Sequence, residues 1–87
     1  MQMTRIISAT LKHGNPCVTL VRSMDNLVRV RVLDITPKEF IDGMRLWRAG
    51  VVIQNAFPNA SADDREFLIT GITPEEWKEM FPESENE

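Results

Sequence analysis

The hydrophobic and polar positions change rhythm once, near residue 34. Before that point they alternate. After it they recur at steps of three and four. Residues 4–11, TRIISATL, are β-branched with few charges and predict a first strand. His13 to Pro16 form a turn signal. Residues 17–22, CVTLVR, predict a second strand, and Ser23 to Asn26 a polar turn. Residues 27–33, LVRVRVL, alternate most regularly of all. With a period of two, Val28, Val30 and Val32 share one face, and Leu27, Arg29, Arg31 and Leu33 the other. The expectation is that the valines join Val18 and Leu20 on the buried face, with the arginines outward. Short links between successive strands favour an antiparallel meander. Its apolar face needs a cover.

The rest of the chain supplies one. Phe40, Met44, Trp47 and Val51 follow at steps of four, three and four, with Ile41 beside them. This stripe predicts a helix over 37–49 that packs on the valine face. Gly43 costs about 1 kcal/mol inside such a helix. Gly50 either lies within the helix or is the residue that ends it. Residues 50–56 are then a continuation or a bent extra turn, closed by Pro58. Ser61 caps a short helix over 62–69, with Asp63 and Asp64 near the positive end of its dipole, and Gly71 closes it. Thr73 caps a last helix over 74–80, stopped by Pro82. The predicted fold is α+β: a three-stranded antiparallel meander, one longer helix and two short ones. It forms a single domain over 1–82, with an acidic tail over 83–87.

Two hexamers, ITPKEF at 35–40 and ITPEEW at 72–77, are nearly alike. With Thr36 at the N-cap, Pro37 is the first helical residue, where a missing N–H costs nothing. Glu39 is then the third, able to bond back to the cap amide. Ile35 and Phe40 occupy the two staple positions. Thr73, Pro74, Glu76, Ile72 and Trp77 repeat this arrangement. Beyond the aromatic residue, IDGMRL and KEMFPE share nothing useful. The hexamers therefore read as two helix starts, not a duplicated module.

Composition narrows the function classes. An 87-residue chain makes one domain with little core of its own. One cysteine, Cys17, allows no intrachain disulfide, which favours an intracellular home. The start MQMTRIISATLK has no long apolar run or cleavage site, and no stretch is apolar enough to span a membrane. The net charge of −3 is unevenly spread. Residues 1–33 hold five bases against Asp25, and residues 34–87 hold five bases against twelve acids. That split suits either two binding faces or internal complementarity.

Catalytic chemistry finds little support. His13 and Cys17 flank a turn, but no motif supplies an orienting third group or an oxyanion site. One His and one Cys do not make a zinc site without carboxylates, and no calcium loop or phosphate-cradling glycine loop appears. A non-enzymatic protein without a cofactor is expected. Arg22, Arg29 and Arg31, with Arg5 if register permits, are the candidate nucleic-acid face. No aromatic residue interleaves with them for base stacking. All six aromatic residues lie after residue 39, a large load for the helical half. Any left exposed would suit a protein interface. An alternating edge strand can also pair with a partner or with a second copy, giving a homodimer.

The run from Trp47 to Trp77 is more specific. It reads Trp47, Gly50, Ile53-Gln54, Ala56-Phe57-Pro58, Arg65-Glu66-Phe67-Leu68, Thr70-Gly71 and Trp77. It resembles a set of small proteins from phages and other mobile elements of Gram-positive gut bacteria. The resemblance covers about a third of the chain and implies a mobile-element origin in the cytoplasm of a bacterial host. It carries over no activity. Gln54, if buried, needs partners. Arg65 and Glu66 are placed to tie the short helices to the longer one. The same three residues, with Trp47 and Trp77, are the candidates for contact with a protein partner. The expected function is binding of another macromolecule, for example as an inhibitor or modulator of a host protein, with the acidic helical half as contact surface. The alternatives are a nucleic-acid-binding module and a structural homo-oligomer.

Overall fold

A computed structural model describes residues 3–80. Phe81, Pro82 and the acidic tail lie outside the described residues. Strands β1 (Thr4–Lys12), β2 (Asn15–Arg22) and β3 (Val28–Val32) form an antiparallel sheet in the order β1-β2-β3. Four helices follow: α1 (Pro37–Arg48), α2 (Ile53–Ala56), α3 (Ala62–Thr70) and α4 (Pro74–Met80). The fold is α+β, with the helices on one face of the meander.

His13 and Gly14 both have positive φ, 52° and 82°, which suits the twist of a two-residue hairpin. The turn is therefore tighter than the sequence signal, and Asn15 and Pro16 already belong to β2. Pro16 lacks a donor, but its carbonyl accepts the Leu33 N–H at 2.8 Å. Asn26, with φ 59°, completes the looser turn between β2 and β3.

The core forms where β2 meets the helices. Val18, Leu20, Leu33, Phe67 and Leu68 are fully buried, joined by Ile35, Ile53, Ala56 and Phe57. Phe40, Met44, Trp47 and Val51 pack against this cluster, as their spacing predicted.

The valine face is the main correction. Val28, Val30 and Val32 are 54%, 58% and 40% exposed. Directly paired residues share a face, and the register pairs Leu20 with Arg29 and Val18 with Arg31. The arginines therefore point under the helices, and the valines pair with Val21, Thr19 and Cys17 on the bare face. Alternation shows that β3 has two unlike faces. It does not show which is inside. Here carboxylates from α3 and α4 meet the arginines, so charge is buried against charge.

Both hexamers begin helices. Thr36 accepts from the Glu39 N–H at 3.1 Å, and Glu39 accepts from the Thr36 N–H at 2.8 Å. Thr73 and Glu76 exchange the same two bonds, at 3.3 and 3.0 Å. Helix α1 ends with Gly50 at φ 100°. Its N–H reaches the Trp47 carbonyl and the Val51 N–H reaches the Leu46 carbonyl, both at 3.0 Å, so the last carbonyls are satisfied. Residues 50–52 therefore leave the helix, and the separate turn α2 follows. Gly43 has a packing reason: the Phe57 ring lies where a Cβ would sit.

Candidate functional site

The arginines proposed for nucleic acid lie on the helix-covered face of the sheet, Arg22 buried and Arg29 and Arg31 half-buried. Arg22, whose side chain is 4% exposed, donates to Asp25 at 2.7 and 3.1 Å, to Glu76 at 2.8 Å and to the Gly71 carbonyl at 3.2 Å. Arg29 donates to Glu76 at 3.0 Å. Arg31 donates to Asp64 at 2.8 Å, and Asp64 also accepts the Asp34 N–H. Arg5 pairs with Val21 on the opposite face. These groups form a clamp between sheet and helices, not an outward basic surface.

Electrostatics fit that role. The Thr73 N–H, then Arg22 and Arg29, hold the Glu76 carboxyl down at about 2 against the opposing cost of burial. Arg22, chiefly through Asp25, is raised above its ordinary value. Asp25 is lowered by the same bond.

The five residues of the Trp47–Trp77 run are spread over four helices. Trp47 is half-buried, edge-on to Phe57 at 6.1 Å between ring centroids. Gln54 is exposed, so it needs no internal partner. Arg65 and Glu66 are half-buried, and among the described residues neither makes an ion pair that ties α3 to α1. Trp77 is 37% exposed, beside a buried Ile72. None of them lines the hollows around α1.

Beside α1 a groove of about 570 Å³ runs along β1, lined by Ile6, Ile7, Ala9, Phe40, Ile41 and Met44, with Arg45 and Arg48 at one end. A second hollow, of about 200 Å³, shares Ala9, Phe40 and Ile41 with it and continues to Leu11 and Pro16. Ile7, Leu11 and Ile41 are at least half exposed. Fully burying such a side chain is worth about 1.5–3 kcal/mol, so each has roughly half of that to gain. From Ile6 to Leu11 the floor spans about 17 Å of extended chain.

The groove borders an open backbone edge. The Ser23 N–H bonds the Met3 carbonyl, and the tight turn at His13-Gly14 closes the hairpin at Lys12 and Asn15. Alternation from that end turns the N–H and C=O of Ala9 and Leu11 away from β2. A third hollow, of about 230 Å³ between α1 and the segment after α2, has no strand edge beside it. The groove was partly foreshadowed in the sequence. Ile7 and Leu11 are aliphatic residues for which the sequence assigned no cover, whereas Ile41, expected to pack with the α1 stripe, is 58% exposed instead.

His13 lies exposed in the hairpin turn, and Cys17 is half-buried on the bare face. Among the described residues no three His, Cys, Asp or Glu side chains are placed to hold a metal ion. No described helix is long and apolar enough to cross a membrane. No family model, curated protein or solved structure matches the chain.

Proposed function

We propose that this is a small non-enzymatic binding protein, of phage or mobile-element type, that captures an extended segment of another protein along β1. The segment adds a strand to the sheet edge and seats its inward side chains between β1 and α1, a known mode of peptide recognition. The observation that carries this reading is the open edge at Ala9 and Leu11 beside an apolar groove. Arg45 and Arg48 are exposed at the groove's end, and among the described residues Arg48 forms no ion pair. Arg45 shares Asp42 with Lys38. The complementary ligand is therefore an alternating apolar segment flanked by acidic residues. Modulation of a host protein is a role such capture would serve. The contact surface so proposed is the groove, not the acidic helical half.

A random peptide library selected against the full chain tests the reading. Enriched peptides should alternate apolar residues and carry Asp or Glu at one end. Fluorescence anisotropy should then show at least tenfold weaker binding to Met44→Glu and to Ala9→Pro, which removes an edge N–H. Arg45→Glu with Arg48→Glu should abolish the acidic preference. Enriched peptides that bind all these variants as tightly as the parent chain would refute the groove.

A further inference from the structure

The two edges of the sheet are unlike. β1 is interrupted by a bulge at Ile7, which limits its regular edge to the stretch from Ser8 to Lys12 that borders the groove. β3 has no irregularity and no proline, and both of its charged side chains are already neutralised beneath the helices. The Arg22 N–H bonds the Leu27 carbonyl, and the Leu33 N–H bonds the Pro16 carbonyl. Residues 27, 29, 31 and 33 thus turn their backbone groups towards β2. By alternation, Val28, Val30 and Val32 present theirs at the open edge.

The strand reads VRVRV, the same in both directions. We propose that β3 pairs antiparallel with β3 of a second copy, about a two-fold axis at Val30, giving one continuous six-stranded sheet. A two-fold contact must be self-complementary, and a palindromic strand meets that requirement directly. In this register Val30 faces the partner's Val30, and Val28 faces the partner's Val32. All these pairs fall at closely bonded sites, so about six ladder bonds form. A slip of one residue sets bonding groups against non-bonding ones. A slip of two leaves part of the strand unpaired.

The facing charges are compatible. Arg29 falls opposite the partner's Arg31, and like charges so placed normally repel. Arg29 already carries Glu76 at 3.0 Å, and Arg31 carries Asp64 at 2.8 Å, so ion pairs face ion pairs. The valines gain β-branched neighbours across the new edge. Edge pairing covers less than the ~800 Å² per partner of a standard interface, so the dimer is concentration-dependent. The groove along β1 stays at the outer edge of each copy and takes no part.

Sedimentation of the full chain over a concentration series tests this. The mass should rise from 10.0 kDa towards double that value. Val30→Pro should hold the chain monomeric with its circular dichroism intact, because that N–H is not used by β2. Val30→Lys is a second variant that keeps the backbone donor and should lower association at least tenfold. In a Cys17→Ser background, Val30→Cys should cross-link under mild oxidation, since bonded sites lie about 5.5 Å apart between Cα atoms. Val28→Cys alone should not cross-link, and Val28→Cys with Val32→Cys should. A monomer at every concentration would overturn the proposal. So would a dimer insensitive to both Val30 variants, or cross-linking of Val28→Cys as readily as Val30→Cys.

Discussion

Replacing Glu76 by Gln removes one charge from the clamp and little else. The amide oxygen still accepts from the Thr73 N–H, so the start of α4 persists. Arg22 keeps Asp25 and the Gly71 carbonyl, but loses the carboxylate 2.8 Å away. Arg29 loses its carboxylate too, and its Nε is already buried without a partner among the described residues. The Glu76 carboxyl falls from an ordinary 4.5 to about 2 on folding. A drop of that size corresponds to about 3 kcal/mol of stability at neutral pH. Breaking a buried pair from one side costs a similar 3–5 kcal/mol. The Glu76 side chain is 20% exposed, and the amide keeps the Thr73 bond that contributes most to the drop, so about 3 kcal/mol is the upper figure. For a domain of this size, 3 kcal/mol lowers Tm by roughly 10–25 °C. Urea and thermal unfolding, followed by circular dichroism, measure it. The pH dependence makes the test specific. A carboxylate with a lowered folded pKa stabilises above its unfolded value and loses that contribution as pH falls through its folded value. The parent chain should therefore weaken between pH 5 and 2, and the gap to Glu76→Gln should close over that range. A gap below about 0.5 kcal/mol at pH 7, or one unchanged at pH 2.5, would refute the clamp.

Further substitutions probe other parts of the account. Gly43→Ala gains helix propensity but meets the Phe57 ring, so a net loss of about 1–3 kcal/mol in urea unfolding is expected, largely recovered with Phe57→Leu. Val28→Thr, on the bare face, should change stability by no more than about 0.5 kcal/mol at monomeric concentrations, whereas Leu33→Ala should cost about 2–5 kcal/mol. If the valines lay inside, that order would reverse in denaturant titrations. Thr36→Ala removes the cap of α1 and should cost about 1 kcal/mol by the same assay.

Local rules made most of the fold legible. Turn residues, caps and periodicity are decided within a few residues of chain, so the three strands, both hexamer caps and the closing Gly71 could be read directly, while Gly50 stayed open between two readings. The orientation of β3 could not. Whether VRVRV shows its valines or its arginines to the helices depends on Asp64 and Glu76, more than thirty residues away. A hydrophobic scale favours the valines, and only the placement of those two acids reverses it. Gly43 was legible only in part. Its propensity cost is local, while the Phe57 ring that requires it arrives from another element. The groove was half visible, as aliphatic residues without an assigned cover. Its open edge needed the hydrogen-bond register.

One position recurs in three of the four helices. Glu39, Asp64 and Glu76 are each the third residue after their cap, where a carboxylate is favoured by the exposed N–H groups of the first turn. Each also reaches a distant element: Glu39 accepts from Asn59 at 2.6 Å, Asp64 from Arg31, and Glu76 from Arg22 and Arg29. The residue that starts a helix thus also ties it to the rest of the domain. That economy suits a small chain whose core is narrow. It explains why two arginines can lie beneath the helices, because α3 and α4 bring anions positioned by their own first turns. It also explains why the valines are left outside. With the inner face committed to ionic contacts at β3, apolar β-branched residues remain on the bare face and along the open edge. A protein that only had to fold could place polar residues there. The exposed Val28, Val30 and Val32 are the residues that the proposed β3 pairing would use.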